Sequence, residues 1–417
     1  MIRVLHTSDW HLGRFIYGKS LLQDQEFALE RLLELIDLRK PHALLIAGDV
    51  FDRPFPPEAA VTLFDRFLSE VVGQRSLPVF LIPGNHDSCE RIGFASELLR
   101  EQGFTIFSTP EQALKPATLV GEDGCEANIF GIPFVEPPII GRSLGRDDLR
   151  DPNSAVQAIC KAMLEKKQDG KPAILLCHAF VTGSETCESE KDIFIGGSSN
   201  VDVSAFEGFA YTALGHLHKP QSAGSSKVRY SGSLLAYSKS EVDHLKSITE
   251  VQINRNGDCE FIHHQLPKLR SLRYVEGTID DLIARSKKEA KQEAQCDDYV
   301  IAGYLDSGPV LDAFARLRIC YPNLLHVARA GGYMPTQLPG LTKERISELR
   351  TSTERTELDL FAEFFRETTN EELSDDERAF LASTLQDISR ESGGDFGGNF
   401  GGNFGGNVGG NVGGTIP

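Results

Sequence analysis

The first 270 residues alternate short apolar runs with longer stretches in which apolar and polar positions repeat at helical spacing. Unbroken apolar runs are typical of strands covered on both faces, and spacings of three and four residues are typical of amphipathic helices. The helical stretch after Ser20 has a predicted capping box with Gln23, and Lys40 marks its end. The alternation predicts a layered α/β domain over residues 1–270. Its predicted strands are residues 2–5, 43–47, 79–82, 173–177 and 211–214.

A second, smaller pattern follows from about residue 271. Runs of strand length alternate there with helical stretches in the order β-α-β-α-β, so we expect a small α/β domain over residues 271–339. The region contains no cluster of catalytic residue types, and we do not expect it to carry the chemistry. The predicted strands and helices are, in chain order, residues 274–279, 281–292, 299–305, 310–319 and 324–328.

The C-terminal region has two parts. Residues 340–392 carry phenylalanines at helical spacing, and Ser374 with Glu377 forms a capping box, which predicts a helical segment. From residue 393 the chain repeats Phe-Gly-Gly-Asn and then Val-Gly-Gly. A chain this rich in glycine loses too much backbone entropy on ordering, so residues 393–417 are expected to be a disordered tail. Weak self-association through its phenylalanines is the alternative.

The net charge is −17 at pH 7, because 60 acidic residues outweigh 43 lysines and arginines. Proteins that bind nucleic acid usually have a basic surface, so this balance argues at first against such a partner. The chain has no apolar stretch of about 18 residues and no secretory signal, which predicts a cytoplasmic protein that does not bind a membrane. Its eight cysteines form no Cys-x-x-Cys pair, which predicts reduced thiols.

Residues with metal-ligand chemistry follow each of the five predicted strands of the first domain. Loops beyond one edge of such sheets collect ligands, so the clusters are expected to meet. Imidazole, carboxylate and carboxamide groups suit borderline or hard divalent ions, and two ions sharing a carboxylate are a standard device for hydrolysing phosphate esters. Any single histidine could be a hydrogen-bonded core residue, but the ordered set favours a metal site. The clusters are Asp9-x-His11, Gly48-Asp49, Gly84-Asn85-His86-Asp87, His178 and His216-x-His218.

These motifs resemble those of the calcineurin-like metallophosphoesterase superfamily. More narrowly, residues 1–392 resemble the SbcD-type subunits of bacterial SbcCD DNA-repair nucleases, with further matches at residues 185–198 and 229–237. The resemblance implies an α/β, layered metallophosphoesterase fold of central sheets flanked by helices, in which residues 271–339 are a capping domain. The main matching runs are Asp-Trp-His-Leu-Gly at residues 9–13, Gly-Asp-Val-Phe-Asp at 48–52, Gly-Asn-His-Asp at 84–87 and Ala-Leu-Gly-His-Leu-His at 213–218.

The resemblance also implies two divalent metal ions, most often Mn²⁺. His86 matches the family's non-ligand histidine, which stabilises charge at the phosphate and helps to protonate the leaving oxygen. Asp52 stands where archaeal relatives carry a histidine thought to assist exonucleolytic cleavage, so no catalytic role is carried over to it. The implied ligands of the first ion are Asp9, His11, Asp49 and His218. Those of the second are Asp49, Asn85, His178 and His216.

The activity implied by the resemblance is hydrolysis of DNA phosphodiester bonds by a two-metal mechanism. It comprises a 3′–5′ exonuclease on double-stranded ends and an endonuclease on hairpins or single strands, in DNA repair, recombination and replication. The implied partner is an SbcC-type ATPase, on which the helical segment within residues 340–392 would dock, with a homodimer of this chain inside a heterotetramer. The alternative for that segment is that it folds back on its own body.

Five basic residues near the clusters could hold DNA phosphates, although solvated surface charge is the alternative for each. Two divalent ions would offset the acidic charge locally, so the net charge does not exclude DNA, and DNA binding is expected to depend on metal and partner. The rival interpretations are a stand-alone metallophosphatase or cyclic-nucleotide phosphodiesterase, and a non-catalytic scaffold that binds DNA ends. The basic residues are Arg14, Lys19, Arg53, Arg91 and Lys219.

Overall fold

The computed structural model describes most of the first 330 residues and short stretches beyond them. The chain divides into one unit at Met1–Ala330 and another at Gly331–Pro417, and the elements below belong to the first unit. The match at residues 195–198, most of the predicted helical segment and the whole glycine-rich tail lie outside the described residues. The described residues are 1–190, 200–290, 297–306, 310–330, 358, 362, 365–366, 372–375 and 377–383.

Strands and helices alternate along the first unit, as the apolar pattern predicts. The strands are β1 (Ile2–Thr7), β2 (Phe15–Ile16), β3 (Lys19–Ser20), β4 (Ala43–Ala47), β5 (Val79–Ile82), β6 (Phe104–Ile106), β7 (Ala117–Val120), β8 (Glu126–Ile132), β9 (Ala173–His178), β10 (Phe180–Val181), β11 (Asn200–Val201), β12 (Tyr211–Gly215), β13 (Gln221–Ala223), β14 (Ser225–Tyr230), β15 (Ser247–Ile253), β16 (Cys259–Gln265), β17 (Leu272–Gly277), β18 (Tyr299–Tyr304) and β19 (Leu324–Arg329). The helices are α1 (Leu22–Arg39), α2 (Glu58–Leu68), α3 (Cys89–Ile92), α4 (Ser96–Glu101), α5 (Pro110–Ala113), α6 (Pro137–Leu144), α7 (Pro152–Glu165), α8 (Ile279–Ala290) and α9 (Ala313–Arg318).

Two six-stranded sheets form the centre of the unit. The first has the strand order β16-β15-β1-β4-β5-β6, and the second has the order β13-β14-β12-β9-β8-β7. Strands β1, β4, β5 and β6 are parallel, and so are β8, β9, β12 and β14, while antiparallel strands complete the edges. Parallel strands end at the same edge of a sheet, so the loops that follow them lie together.

Alternating side chains of the strands build separate hydrophobic layers. In β4, Leu44 and Ile46 pack in a cluster with residues of α1 and α2, whereas Ala43 and Leu45 pack in a cluster with residues of the second sheet. The outer face of the second sheet packs in the same way against α6 and α7, through residues such as Leu175. The order of layers is therefore helix, sheet, sheet, helix, which confirms the predicted fold class.

The five predicted strands of the first domain are all present. Strands β4 and β5 have the predicted bounds, and β1, β9 and β12 extend one or two residues further. The predicted capping box at Ser20 is wrong, because α1 begins at Leu22 after an N-cap at Leu21 that makes no side-chain cap hydrogen bond. Ser20 lies in β3, where it pairs with Phe15, so it belongs to a short hairpin instead of the helix.

The smaller domain has the predicted element order. Strands β17, β18 and β19 form a parallel sheet, connected by α8 and α9, around a hydrophobic cluster of its own. Its sheet belongs to the same compact unit as the two large sheets, and the domain boundaries at residues 270, 339 and 392 stay predictions. In the second unit, Ser374 and Glu377 form the predicted capping box, in which the Glu377 N–H donates to Ser374 Oγ (3.4 Å).

Two further expectations concern the whole chain. Among the described residues every cysteine is free, in agreement with the predicted reduced thiols. None of the helices that the structure describes is both long enough and apolar enough to cross a membrane.

Candidate metal centre

The predicted ligands lie where parallel strands of both sheets end. Asp9 and Asp49 follow β1 and β4 of the first sheet, and His178 and His216 stand at the ends of β9 and β12 of the second. Hydrogen bonds join the two sheets at this edge: His178 Nδ1 donates to the carbonyl of Ala47 (2.9 Å), and the main-chain N–H of His216 donates to the Asp9 carboxylate (3.0 Å). Residues far apart in the sequence therefore form one site.

Several ligands have a left-handed backbone. The φ angles are 54° at Asp9, 46° at His11, 52° at Asp49 and 106° at His216. Such angles are uncommon for residues other than glycine and cost about 1–3 kcal/mol each. The loop after β4 fixes the backbone at Asp9 and His11. Their N–H groups donate to the carbonyls of Gly48 and Asp49, each over 3.0 Å. Strain that is held by neighbouring loops in this way is typical of functional sites.

Two glycines of the motifs permit a close approach that no side chain would allow. A Cβ on Gly48 would lie 2.4 Å from His178 Nδ1, and a Cβ on Gly84 would lie 2.3 Å from Asp49 Oδ1. The glycines at these positions are therefore required by packing against ligand side chains, which explains why the motifs begin with glycine.

Asp49 lies at the centre of the cluster. Its Oδ2 is 3.6 Å from His11 Nε2 and 3.5 Å from His178 Nε2. On one side of it, His11 Nε2 lies 3.1 Å from His218 Nε2. On the other side, Asn85 Oδ1 lies 2.9 Å from His178 Nε2 and 3.2 Å from the Nδ1 atom of His216, a further predicted ligand. The structure thus brings all seven predicted ligands together around Asp49, and their role as ligands stays a prediction.

Three groups of buried side chains offer ligand atoms within 4.8 Å of one another. One group contains Asp9, His11 and His218, which belong to the ligand set predicted for the first ion. The second contains Asp9, Asp49 and His178, and so spans both predicted sets. The third brings His86 together with His11 and Asp49, so His86, predicted to be a non-ligand, lies as close as a ligand. The groups are Asp9–His11–His218, Asp9–Asp49–His178 and His11–Asp49–His86.

The electrostatics of the cluster follow from burial. Burial raises the pKa of Asp9 to about 6. Burial also favours a raised pKa at Asp49, but the neighbouring His178 imidazole outweighs it and leaves that pKa lowered, while Asp49 in return raises the pKa of His178 to about 9. Burial lowers the pKa of His216 to about 3 and that of His11 well below its usual value. A lowered pKa at His11 and His216 favours the neutral imidazole, which is the form that binds a metal ion.

The residues present fit a divalent cation. The side chains of Asp9 and Asp49 are almost completely buried, and buried carboxylates need a compensating cation. The Nε2 atoms of His11 and His218 lie only 3.1 Å apart, so one cation can contact both. Oxygen and imidazole ligands without cysteine favour metals such as Mn²⁺, Mg²⁺ or Zn²⁺ over purely thiolate-bound ions.

His86 lies beside the cluster with a defined ring orientation. Its main-chain N–H donates to Asp49 Oδ1 (2.8 Å), and its Nδ1 donates to the carbonyl of Asp52 (2.7 Å). The ring stands edge-on to the His11 ring, with 4.6 Å between ring centres. Because Nδ1 is used by the Asp52 carbonyl, Nε2 is the nitrogen suited to interact with a substrate.

Asp87 joins the two loops that carry Asp49 and Asn85. Its carboxylate accepts the N–H groups of Val50 (3.1 Å), Phe51 (3.0 Å) and Gly84 (3.0 Å). The sequence motif contains this residue, but nothing in the pattern indicates which backbone groups it binds. Asp87 therefore holds the loops on either side of the cluster in register.

Replacing Asp87 by alanine is expected to lower the free energy of unfolding by roughly 3 kcal/mol or more. The variant leaves three backbone N–H groups without their acceptor, and each buried unpaired group costs about 1–3 kcal/mol. Urea denaturation of the variant beside wild type measures the loss. Asp147→Ala is the control, because Asp147 is exposed, and an equal loss in both variants would contradict the role of Asp87.

The five candidate DNA-contact residues differ in their exposure and in the groups that they already contact. Arg14 pairs with Asp52 (2.9 Å) and Lys219 pairs with Glu185, so these two cations are already engaged. Arg91 is exposed, with its guanidinium 4.2 Å from the ring centre of Phe55. Lys19 and Arg53 are exposed. A role in DNA binding stays a prediction for all five.

Three residues that the sequence reasoning missed lie behind the ligand His218. Ser189 Oγ is 2.8 Å from His218 Nδ1, Glu241 Oε1 is 3.3 Å from the same atom, and Lys246 Nζ donates to the His218 carbonyl (2.8 Å). The pKa of Glu241 is lowered, because its hydrogen bond to His218 and the nearby Lys246 outweigh the effect of burial. Serine, glutamate and lysine in a loop have no distinctive spacing, so no pattern pointed to them.

A buried cluster of carboxylate, imidazole and carboxamide side chains at the edge of two stacked sheets is typical of metal-dependent phosphoesterases. The chain belongs to the calcineurin-like phosphoesterase family, whose sequence model matches residues 2–220. A second model, described as a type 5 capsule protein repressor C-terminal domain, matches residues 268–369. Family membership confirms the predicted resemblance and the α/β fold, and it indicates a hydrolase of phosphoester bonds that uses divalent metal.

Two curated relatives are named as the SbcD subunit of the nuclease SbcCD. The protein of Staphylococcus saprophyticus is 32% identical over 325 residues, which are 78% of this chain and 84% of that protein. The protein of Staphylococcus epidermidis is 29% identical over 324 residues, with the same shares of the two chains. Both alignments cover most of each protein, so the likeness extends well beyond the phosphoesterase motifs.

Proposed function

We propose that this chain is the metal-dependent nuclease subunit of a DNA-repair complex. The observation that carries the proposal is the convergence of the six other predicted ligands on Asp49, in a chain whose relatives are named as nuclease subunits. The activity is hydrolysis of DNA phosphodiester bonds, as a 3′–5′ exonuclease on duplex ends and as an endonuclease on hairpins or single strands.

When bound, two divalent ions, with Mn²⁺ as the preferred ion, would supply the activated water and neutralise charge on the phosphate. Asp49 would be the ligand common to both ions, as the family resemblance implies, and its Oδ2 lies 3.6 Å from His11 Nε2 and 3.5 Å from His178 Nε2. His86, fixed through Nδ1 by the Asp52 carbonyl, directs Nε2 towards the scissile phosphate and donates a proton to the leaving oxygen. The remaining ligands are divided between the ions as the family resemblance implies.

The partners in this proposal are double-stranded DNA ends and hairpins, and an SbcC-type ATPase. Support for the ATPase comes from the names of the relatives, since the segment predicted to dock on it lies mostly outside the described residues. A homodimer of this chain within a heterotetramer completes the assembly. Because the chain carries a net charge of −17, DNA binding depends on the metal ions and on the partner.

The test uses the full chain with Mn²⁺, with and without the ATPase subunit. Substrates are a linear duplex labelled at either 3′ or 5′ end, a DNA hairpin, a cyclic nucleotide and bis(p-nitrophenyl) phosphate. The proposal expects shortening of the duplex from its 3′ ends and opening of the hairpin, both stimulated by the ATPase. Intact DNA together with rapid cleavage of the small phosphodiesters would instead support a stand-alone phosphodiesterase, and binding without any cleavage would support a scaffold.

Addition of Mn²⁺ to the metal-free protein is expected to raise the unfolding temperature by roughly 5–10 °C. An ion that binds only the folded state stabilises it by about 2.7 kcal/mol at a concentration 100 times its Kd. In a large domain each kcal/mol raises the unfolding temperature by about 2–4 °C. Differential scanning fluorimetry with a metal titration measures the shift. Excess EDTA is expected to reverse it and to stop hydrolysis, and a protein that keeps full activity in EDTA would contradict the metal centre.

A further inference from the structure

A buried glutamate outside the predicted motifs lies behind the ligand His218. Glu241 is 0% exposed and belongs to the single helical turn Lys239–Glu241. Its Oε1 accepts hydrogen bonds from Ser189 Oγ (2.5 Å), Ser238 Oγ (3.0 Å) and the Tyr237 N–H (3.2 Å). A carboxylate held by this many donors has one fixed position, so it can orient the groups that it contacts.

Ser189 connects Glu241 to the imidazole of His218. Ser189 Oγ lies 2.8 Å from His218 Nδ1, and Glu241 Oε1 lies 3.3 Å from that nitrogen. The single hydroxyl hydrogen of Ser189 is donated to Glu241, so Ser189 Oγ accepts a hydrogen bond from His218 Nδ1–H. The Glu241 carboxylate, whose Oε1 lies 3.3 Å from Nδ1, can also accept a hydrogen bond from a proton on that nitrogen. The hydrogen bonds therefore place a ring proton on Nδ1 and leave Nε2 as the nitrogen that can offer a lone pair.

The Nε2 atom of His218 is the one that faces the metal centre. It lies 3.1 Å from His11 Nε2, and His218 belongs to the group of ligand atoms with Asp9 and His11. In metal sites the second ring N–H of a histidine ligand commonly donates to an oxygen, which fixes the ring and its protonation. The Ser189–Glu241 pair supplies such an acceptor here.

Lys246 balances the charge of Glu241 without joining the cluster of ligands. Its Nζ donates to Glu241 Oε2 (2.5 Å), Ser233 Oγ (2.9 Å) and the His218 carbonyl (2.8 Å), which uses its three protons. The His218 main chain is held from another side, because its N–H donates to Glu190 Oε1 (2.7 Å). The main chain of His218 is thus fixed by other residues, and Glu241 and Ser189 act on its ring.

We propose that Glu241, acting through Ser189, is a positioning residue that keeps the proton of His218 on Nδ1 and directs Nε2 at the metal centre. The proposal rests on the metal centre described under the proposed function. Loss of such a partner of a metal ligand typically weakens metal binding about 10–100-fold. The hydrogen bonds are made by this chain's own residues, so the position of the His218 proton can be measured both without and with metal.

The test compares two serine variants. Ser189→Ala removes the hydroxyl that bridges Glu241 and His218, whereas Ser69→Ala makes the same chemical change at an exposed position. Isothermal titration calorimetry gives the number and affinity of bound Mn²⁺ ions. Long-range ¹H–¹⁵N spectra of the metal-free protein, labelled in histidine, give the position of the proton on His218, whose signal is assigned by its loss in His218→Gln.

Wild type and Ser69→Ala are expected to bind Mn²⁺ equally and to show the Nδ1–H form. Ser189→Ala is expected to bind one ion about 10-fold more weakly and Glu241→Gln up to about 100-fold more weakly, each with a changed His218 signal. If Glu241→Gln does not fold, because it leaves Lys246 unbalanced, Ser189→Ala decides. Unchanged affinity and an unchanged His218 signal in a folded variant would overturn the positioning role alone. A wild type that binds no Mn²⁺ would overturn the metal centre with it.

Discussion

Asp49→Asn is expected to reduce phosphodiester cleavage at least about 10³-fold, because removing even one preorganised electrostatic group commonly costs 10²–10³ in kcat. The substitution keeps the shape of the side chain and the oxygen that accepts the His86 N–H. It removes the negative charge that lies between His11 Nε2 and His178 Nε2. The charge that is common to both predicted ions is lost, so both the rate of cleavage and the number of bound Mn²⁺ ions are expected to fall.

The measurement pairs cleavage of a labelled DNA duplex with calorimetric titration of Mn²⁺ on the same preparations. Asp65→Asn is the matched control, because it makes the same chemical change at an exposed position of α2. Circular dichroism establishes that both variants fold. The control is expected to behave as wild type in both measurements. Undiminished cleavage by a folded Asp49→Asn variant would show that a contaminant, or a site elsewhere in the chain, carries the activity.

The sequence was sufficient to predict features that depend on local pattern. An unbroken apolar run predicted the bounds of β4 and β5, because both strands are covered on two faces and their side chains are apolar throughout. The sequence also predicted which side chains would lie together. Parallel strands end at the same edge of a sheet, so the polar residues that follow them are neighbours in space. The helix start at Ser20 was wrong because a two-residue strand pairing took that residue into a hairpin.

Features that depend on contacts between distant parts of the chain could not be predicted in this way. Glu241 contacts His218 only because the chain between them folds back, and a glutamate in a polar loop looks like solvated charge. Arg14 was a candidate DNA contact from its position in the sequence, yet its guanidinium pairs with Asp52 and lies 5.1 Å from the ring centre of Tyr237. The role of Asp87 likewise needed the positions of three backbone N–H groups.

Gly215→Ala is expected to lower the free energy of unfolding by about 3 kcal/mol or more, at or beyond the upper end of the usual 1–3 kcal/mol cost of overpacking. Gly215 ends β12 and pairs in register with His178. A Cβ at this position would lie 1.8 Å from the Ala47 carbonyl oxygen and 2.8 Å from His178 Nδ1. Those two atoms form the hydrogen bond that joins β4 to β9 and orients the His178 ring, so the methyl group would displace it.

The same variant is therefore expected to weaken Mn²⁺ binding by at least about 10-fold, as loss of an orienting partner does at other histidine ligands. Gly73→Ala is the matched control, because a Cβ there has no atom within 4 Å and its φ is not in the left-handed region. The control is expected to stay within about 0.5 kcal/mol of wild type. Urea denaturation and calorimetric titration of both variants separate the two effects. If Gly215→Ala loses stability but binds Mn²⁺ as tightly as wild type, the contact between the sheets supports the fold without orienting the ligand.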